Sequence, residues 1–102
     1  CIRGTAGWAI VEELRSFADA AAAVIEKPTF GATALPAALA DYDAIEFVGL
    51  CTDICVISNA LLVKAFCPEK RIRVDAACCA GVTPESHTTA LNAMRACQIE
   101  VR

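Results

Sequence analysis

The sequence lacks any long apolar run. The alanine-rich stretch Ala20–Ile25 is far too short to span a bilayer, so no membrane partner is expected. Clustered positive charge is missing too. Lysine and arginine are scattered, with only Lys70, Arg71 and Arg73 close together. The net charge is −3 and the pI about 5.0, which gives no reason to expect nucleic acid. No signal peptide, internal repeat, linker or low-complexity segment is visible. The chain opens at Cys1 without a Met, and Ile2–Trp8 reads as a loop already in mid-course, so an N-terminal portion is expected to be absent.

What is present is small and apolar. A chain of 102 residues holds at most one domain. Hydrophobic residues make up 57%, mean hydropathy is +0.51, and 21 alanines suit close packing of helix on sheet. Surplus apolar surface favours self-association into a homo-oligomer. Seven cysteines raise the question of a disulfide scaffold. Their odd number, their placement in apolar runs and the α/β pattern below argue against one, so a reducing cytoplasm is the expected location.

Gly4–Gly7 reads as loop, and Trp8, Ile10, Val11, Leu14 and Phe17 suggest a short helix or turn covering apolar surface. Val24–Lys27 reads as a short buried strand ended by Pro28, which has no N–H to donate to a ladder. A helix is expected from Thr33 or Ala34 to Tyr42, with Pro36 tolerated in its first turn. Glu46–Leu50 is an expected strand. Thr52 or Asp53 then caps a helix running to about Phe66. Ile72–Asp75 is the next strand. Thr83 as N-cap with Pro84 behind it opens a helix to about Ala96, and Gln98–Val101 is a final strand. Strands alternating with helices imply right-handed βαβ units, hence an α/β fold of three layers, a mainly parallel sheet with helices on its faces. Ligands of such sheets bind beyond the carboxyl ends of the strands, where Lys27, Cys55 and Asp75 lie.

Cys55 is the residue of greatest chemical interest. An apolar strand stops at Leu50, capping residues follow, and a helix opens with a thiol in its first turn. Unpaired N–H groups at the positive end of a helix favour thiolate, the nucleophilic form, and can hold an oxyanion. The pattern points to a cysteine-nucleophile hydrolase, with the backbone N–H groups of Cys51 and Cys55 as its oxyanion hole. The bland alternative is a buried structural cysteine. A Cys51/Cys55 redox pair is disfavoured because the spacing is not C-x-x-C. Lys27 is either an exposed strand-end lysine or a cation that stabilises the thiolate and the carbonyl side of a substrate. His87, in the first turn of its helix, suits bonds to neighbouring loop groups better than a Cys55–His87 dyad. Cys78-Cys79 has no Cys or His partner at zinc-finger spacing, so no metal is expected within this chain. Trp8 and Phe30 read equally as core or pocket wall.

The segments Glu26-Lys27-Pro28-Thr29-Phe30-Gly31 and Val48-Gly49-Leu50-Cys51-Thr52-Asp53-Ile54-Cys55-Val56 together carry a family likeness. The tail from Val74-Asp75 through Thr83-Pro84-Glu85-Ser86-His87 agrees with it. The chain resembles the isochorismatase-like cysteine hydrolases, and within them the nicotinamidase-type amidases. The likeness covers all 102 residues but only the C-terminal three-fifths of the family's domain, so residues 1–102 are expected to be the C-terminal portion of a single domain with a Rossmann-like sheet. The resemblance implies an Asp–Lys–Cys triad with Cys55 as nucleophile and Lys27 as its lysine, the aspartate lying upstream of Cys1. It also implies a cis peptide at Leu50–Cys51, a pocket touching Phe30 and Leu50, and a divalent metal such as zinc held upstream in the complete domain.

The function so implied is hydrolysis of a small carboxamide such as nicotinamide, through a thioester, with the isolated 102 residues inactive. Two other classes stand beside it: an isochorismatase-like hydrolase of another small amide or ether, and a non-catalytic fragment serving in assembly. Cys55 weighs against the enol-ether branch, in which many members carry a smaller residue there.

Overall fold

The computed structural model describes all 102 residues. Helix α1 (Glu12–Asp19) begins with Glu12 and Glu13, whose charges suit a helix N-terminus, but none of its residues is buried. Helix α2 (Leu35–Ala38) is a single turn rather than the longer helix expected. The Lys70 ammonium donates to the Ala40 and Tyr42 carbonyls at 3.0 and 2.5 Å, holding that chain in turns instead of further helix. Strand β1 (Ala44–Leu50) leads through a π-helical turn, Thr52–Val56, into α3 (Ile57–Phe66); β2 (Arg71–Ala80), α4 (Pro84–Ala96) and β3 (Glu100–Val101) complete the chain.

The three strands form a parallel sheet in the order β1-β2-β3. Along its first half, Ile45 pairs with Ile72 and Phe47 with Val74, so these four side chains share one face. Helices α3 and α4 cover that face, and Val56, Ala60, Val63, Leu91, Met94 and Ile99 close the core against Ile72 and Val74. Ala44, Glu46, Val48 and Leu50 alternate onto the opposite face and remain exposed. Of the three layers expected, these residues supply the sheet and one helical layer. On the open face the Arg73 guanidinium pairs with Glu46 at 2.7 Å.

Strand β2 runs past the expected end at Asp75. Two steps along β1, from Phe47 to Gly49, match five along β2, from Val74 to Cys79. The extra residues loop out where the Asp75 carboxylate accepts the Ala77 N–H at 3.1 Å, and pairing then resumes at Cys79 and Ala80. Gly49 lies at this irregularity with φ +117°, a conformation that glycine adopts without steric cost. The expected strand Val24–Lys27 is not one: it is open chain, because no strand lies beside it to share a ladder.

Helix α4 starts as its sequence implies. Thr83 Oγ1 accepts the Ser86 N–H at 3.1 Å while Ser86 Oγ accepts the Thr83 N–H at 3.1 Å, with Pro84 behind the cap. Its end is a Schellman motif: the Gln98 N–H donates to Arg95 O at 3.1 Å and the Ile99 N–H to Met94 O at 3.0 Å. Gln98 takes the left-handed conformation this requires, φ 66°, so the last strand begins at Glu100 rather than Gln98.

Candidate active site

Cys55 lies within the π turn that joins β1 to α3. The Cys51 carbonyl anchors that turn by accepting the N–H groups of Ile54 at 3.0 Å and Val56 at 3.1 Å. The Cys51 N–H itself has no acceptor within the chain, and the Leu50–Cys51 peptide before it is cis, as the family likeness implied. The N-cap is Cys51, in extended conformation, and not Thr52 or Asp53. Those two side chains are taken by tertiary partners. Thr52, fully buried, bonds its hydroxyl to His87 Nδ1 at 2.7 Å, and the Asp53 carboxylate accepts the Val82 N–H at 3.2 Å. The Ser86 hydroxyl, followed by that Val82 N–H, holds the Asp53 carboxyl below the ordinary carboxylate range.

Lys27 reaches this turn from the open chain before Pro28. Its Nζ stands 3.4 Å from Cys55 Sγ and donates also to the Thr29 carbonyl at 3.3 Å. Cation and thiol therefore face each other although the strand expected to carry the lysine does not form. A cleft of about 260 Å³ opens beside the pair, walled by Ile25, Ala32, Leu35, Phe47 and Leu50. A second, wider one borders the pair on the side of Trp8 and Phe30. Leu50 thus lines the small cleft and Phe30 the large one; Trp8 is pocket wall rather than core.

His87 borders neither cleft, and its ring is engaged with Thr52, so it is not brought to Cys55. Gly81 permits that clasp: a Cβ there would lie 2.8 Å from the Cβ of His87 and 3.0 Å from its backbone. Asp75 turns back onto its own backbone at Ala77 instead of entering the site. All seven cysteines are free thiols. The negative charge of Asp75 pushes the Cys78 thiol up, and burial pushes Cys79 up, so both stay protonated at neutral pH. No three His, Cys, Asp or Glu side chains converge closely enough to hold a metal ion, so the residues present do not fit one.

One residue of the site escaped the sequence reading. Asn59, nearly buried on α3, accepts the Ala32 N–H at 2.8 Å and donates to Phe30 O at 3.1 Å and Cys55 O at 2.9 Å. Its signal was the one amide side chain of a mostly apolar helix, one turn beyond Cys55.

The parallel sheet and the thiol–ammonium pair at its edge set the frame for comparison with known proteins. The isochorismatase domain model matches residues 1–102, and the chain belongs to that isochorismatase-like hydrolase family. Among solved structures, the chain is similar to the nicotinamidase of Staphylococcus aureus, with 26% identity and a TM-score of 0.82 over 99% of this chain and 68% of that one. It is similar to the Bacillus subtilis nicotinamidase as well, with 25% identity and a TM-score of 0.80 over 98% of this chain and 60% of the other. The Pyrococcus horikoshii pyrazinamidase solved with zinc shares the fold at 20% identity, with a TM-score of 0.66 over 76% of this chain and 45% of that one. The chain thus spans about half to two-thirds of these relatives' lengths. No curated protein matches it in sequence comparison. No helix is long and apolar enough to cross a membrane.

Proposed function

We propose that this protein is an amidase-type cysteine hydrolase of small carboxamides, with nicotinamide as the substrate its structural relatives point to. The observation that carries the reading is the 3.4 Å approach of Lys27 Nζ to Cys55 Sγ, at the mouth of a small apolar cleft. A cleft of about 260 Å³ suits a single flat ring better than a drug-sized ligand.

Cys55, as thiolate, attacks the carboxamide carbon and forms a C–S bond while the carbonyl π electrons move onto oxygen. The free Cys51 N–H and that of Cys55 are the donors assigned to the oxyanion. Lys27 holds the thiolate by charge and orients the carbonyl. Collapse breaks the C–N bond, and the nitrogen leaves as ammonia after taking a proton. Water then cleaves the thioester to the carboxylic acid and restores the thiol. The small cleft holds no carboxylate, and neither Asp19 nor Glu26 in the larger one bonds Cys55 or Lys27. The resemblance to the isochorismatase-like hydrolases implies an aspartate as proton carrier, and we assign that role to the portion of the family's domain that these residues do not span. The 102 residues alone are accordingly proposed to be inactive.

The test is ammonia release from a panel of aromatic carboxamides by the complete domain, with and without Cys55→Ala. The reading predicts turnover that this substitution abolishes without altering the circular dichroism spectrum. Retained turnover in the variant rejects Cys55 as nucleophile.

A further inference from the structure

The two partners of the reacting pair come from segments of unlike rigidity. Cys55 sits at the head of α3, inside a hydrogen-bonded turn. Lys27 sits in open chain without a ladder, so nothing in its own secondary structure fixes its distance from the sulfur. Ion-pair geometry on such a segment needs an external tie, since an error of about 1 Å in placing a reacting group costs up to about a hundredfold in rate.

We propose that Asn59 is that tie: a positioning residue that sets the Lys27–Cys55 separation by bonding the Phe30–Ala32 segment and the Cys55 turn through one side chain. The inference rests on the reading of Cys55 and Lys27 given above. The amide bridges three backbone groups, Ala32 N–H, Phe30 O and Cys55 O, at 2.8, 3.1 and 2.9 Å. These partners admit one orientation of the amide. A flipped side chain would set its NH₂ against the Ala32 N–H and its oxygen against two carbonyls. Ala32 and Asn59 are both buried, so water competes poorly for these bonds. Asn59 also walls the small cleft, yet it spends its polar atoms on the scaffold instead of turning them toward a ligand. Phe30 and Ala32 lie three and five residues beyond Lys27, and the carbonyl of Thr29, just before Phe30, accepts from the lysine itself. Asn59 therefore ties to the Cys55 turn the segment whose Thr29 carbonyl holds the Lys27 ammonium.

The experiment is iodoacetamide alkylation of the complete domain, the rate at Cys55 being followed by peptide mass spectrometry in four proteins: unsubstituted, Asn59→Ala, Lys27→Met and the double variant. If Asn59 acts through Lys27, Asn59→Ala slows alkylation at Cys55 about tenfold, and the same change in the Lys27→Met background alters it less than about twofold. Equal slowing in both backgrounds, or none in the first, overturns the proposal. Should Asn59→Ala fail to fold, Asn59→Thr replaces it, a neutral side chain that fills more of the space but is too short to bond all three partners, and the same comparison decides. Alkylation of unsubstituted protein no faster at Cys55 than at exposed Cys97 would instead reject the underlying nucleophile assignment, and this proposal with it.

Discussion

The Thr52–His87 bond offers a quantitative test of how the Cys55 turn is held. Thr52 has no exposed surface, and His87 Nδ1 is its hydroxyl's single hydrogen-bond partner, at 2.7 Å. His87→Ala leaves that hydroxyl buried and unpaired, a loss of about 1–3 kcal/mol, to which the removed ring adds lost packing. The expected total is about 2 kcal/mol. For a domain near 100 residues this lowers Tm by roughly 8–16 °C. Thr52→Val removes the hydroxyl at nearly constant shape and exposes a half-buried imidazole nitrogen that water can still reach, so its expected cost is smaller, about 1 kcal/mol. The double variant carries no orphaned hydroxyl. It should therefore be no less stable than His87→Ala alone, giving a coupling of about 1 kcal/mol or more. Urea denaturation followed by circular dichroism measures all four proteins, with m expected to stay constant. Additive losses, or a His87→Ala cost below about 0.5 kcal/mol, would refute the claim that this bond holds the turn.

Three further outcomes are expected. Gln98→Gly should stabilise the protein by about 0.5–1 kcal/mol, since glycine takes φ 66° without a Cβ penalty; a lower urea midpoint would contradict the helix-end assignment. Asp53 has a folded-state pKa below the ordinary aspartate value of about 3.9, so its contribution is present above that value and is lost as pH falls through the lower folded one. Asp53→Asn should accordingly flatten the acid limb of a stability–pH profile between pH 5 and 2 or so, and an unchanged limb would deny the link to Val82 and Ser86. Lys27→Met should lower kcat for carboxamide hydrolysis about a hundredfold with KM changed less than about threefold, because the cation acts on the attacking sulfur; a loss confined to KM would make it a substrate-binding residue instead.

Legibility in the sequence followed how local each determinant was. The start of α4 was readable because Thr83, Pro84 and Ser86 cap it with neighbouring atoms. The β1-to-α3 passage was readable for the same reason, an apolar strand meeting a helical pattern at Leu50–Thr52. Val24–Lys27 misled, because four apolar and charged residues specify an extended chain while a strand needs a neighbour. Ala76–Ala80 hid the second half of β2, since small side chains show no alternation and the resumed register depends on the Asp75 turn. Thr52 and Asp53 have the chemistry of caps, but partners distant in sequence, His87 and Val82, claim them. The Lys27–Cys55 approach was expected at strand ends; the lysine instead reaches the sulfur from open chain, beside a segment that Asn59 bonds to the Cys55 turn, a link no spacing rule encodes.

These long-range polar bonds weigh heavily because the apolar core is small. Thirteen of 102 residues are buried, and eight of them form the central cluster under α3 and α4. Net stabilities of domains this size amount to several kcal/mol, so one buried hydrogen bond near 1–2 kcal/mol is a sizeable share. The two buried polar side chains, Thr52 and Asn59, both flank Cys55, one bonding toward α4 and the other toward the Lys27 segment. Stability and site geometry are thereby concentrated in the same few atoms. Substitutions that loosen the Cys55 turn should lower stability and reaction rate together, whereas core truncations such as Met94→Ala should cost stability by cavity formation and leave the Cys55 alkylation rate of the folded fraction intact.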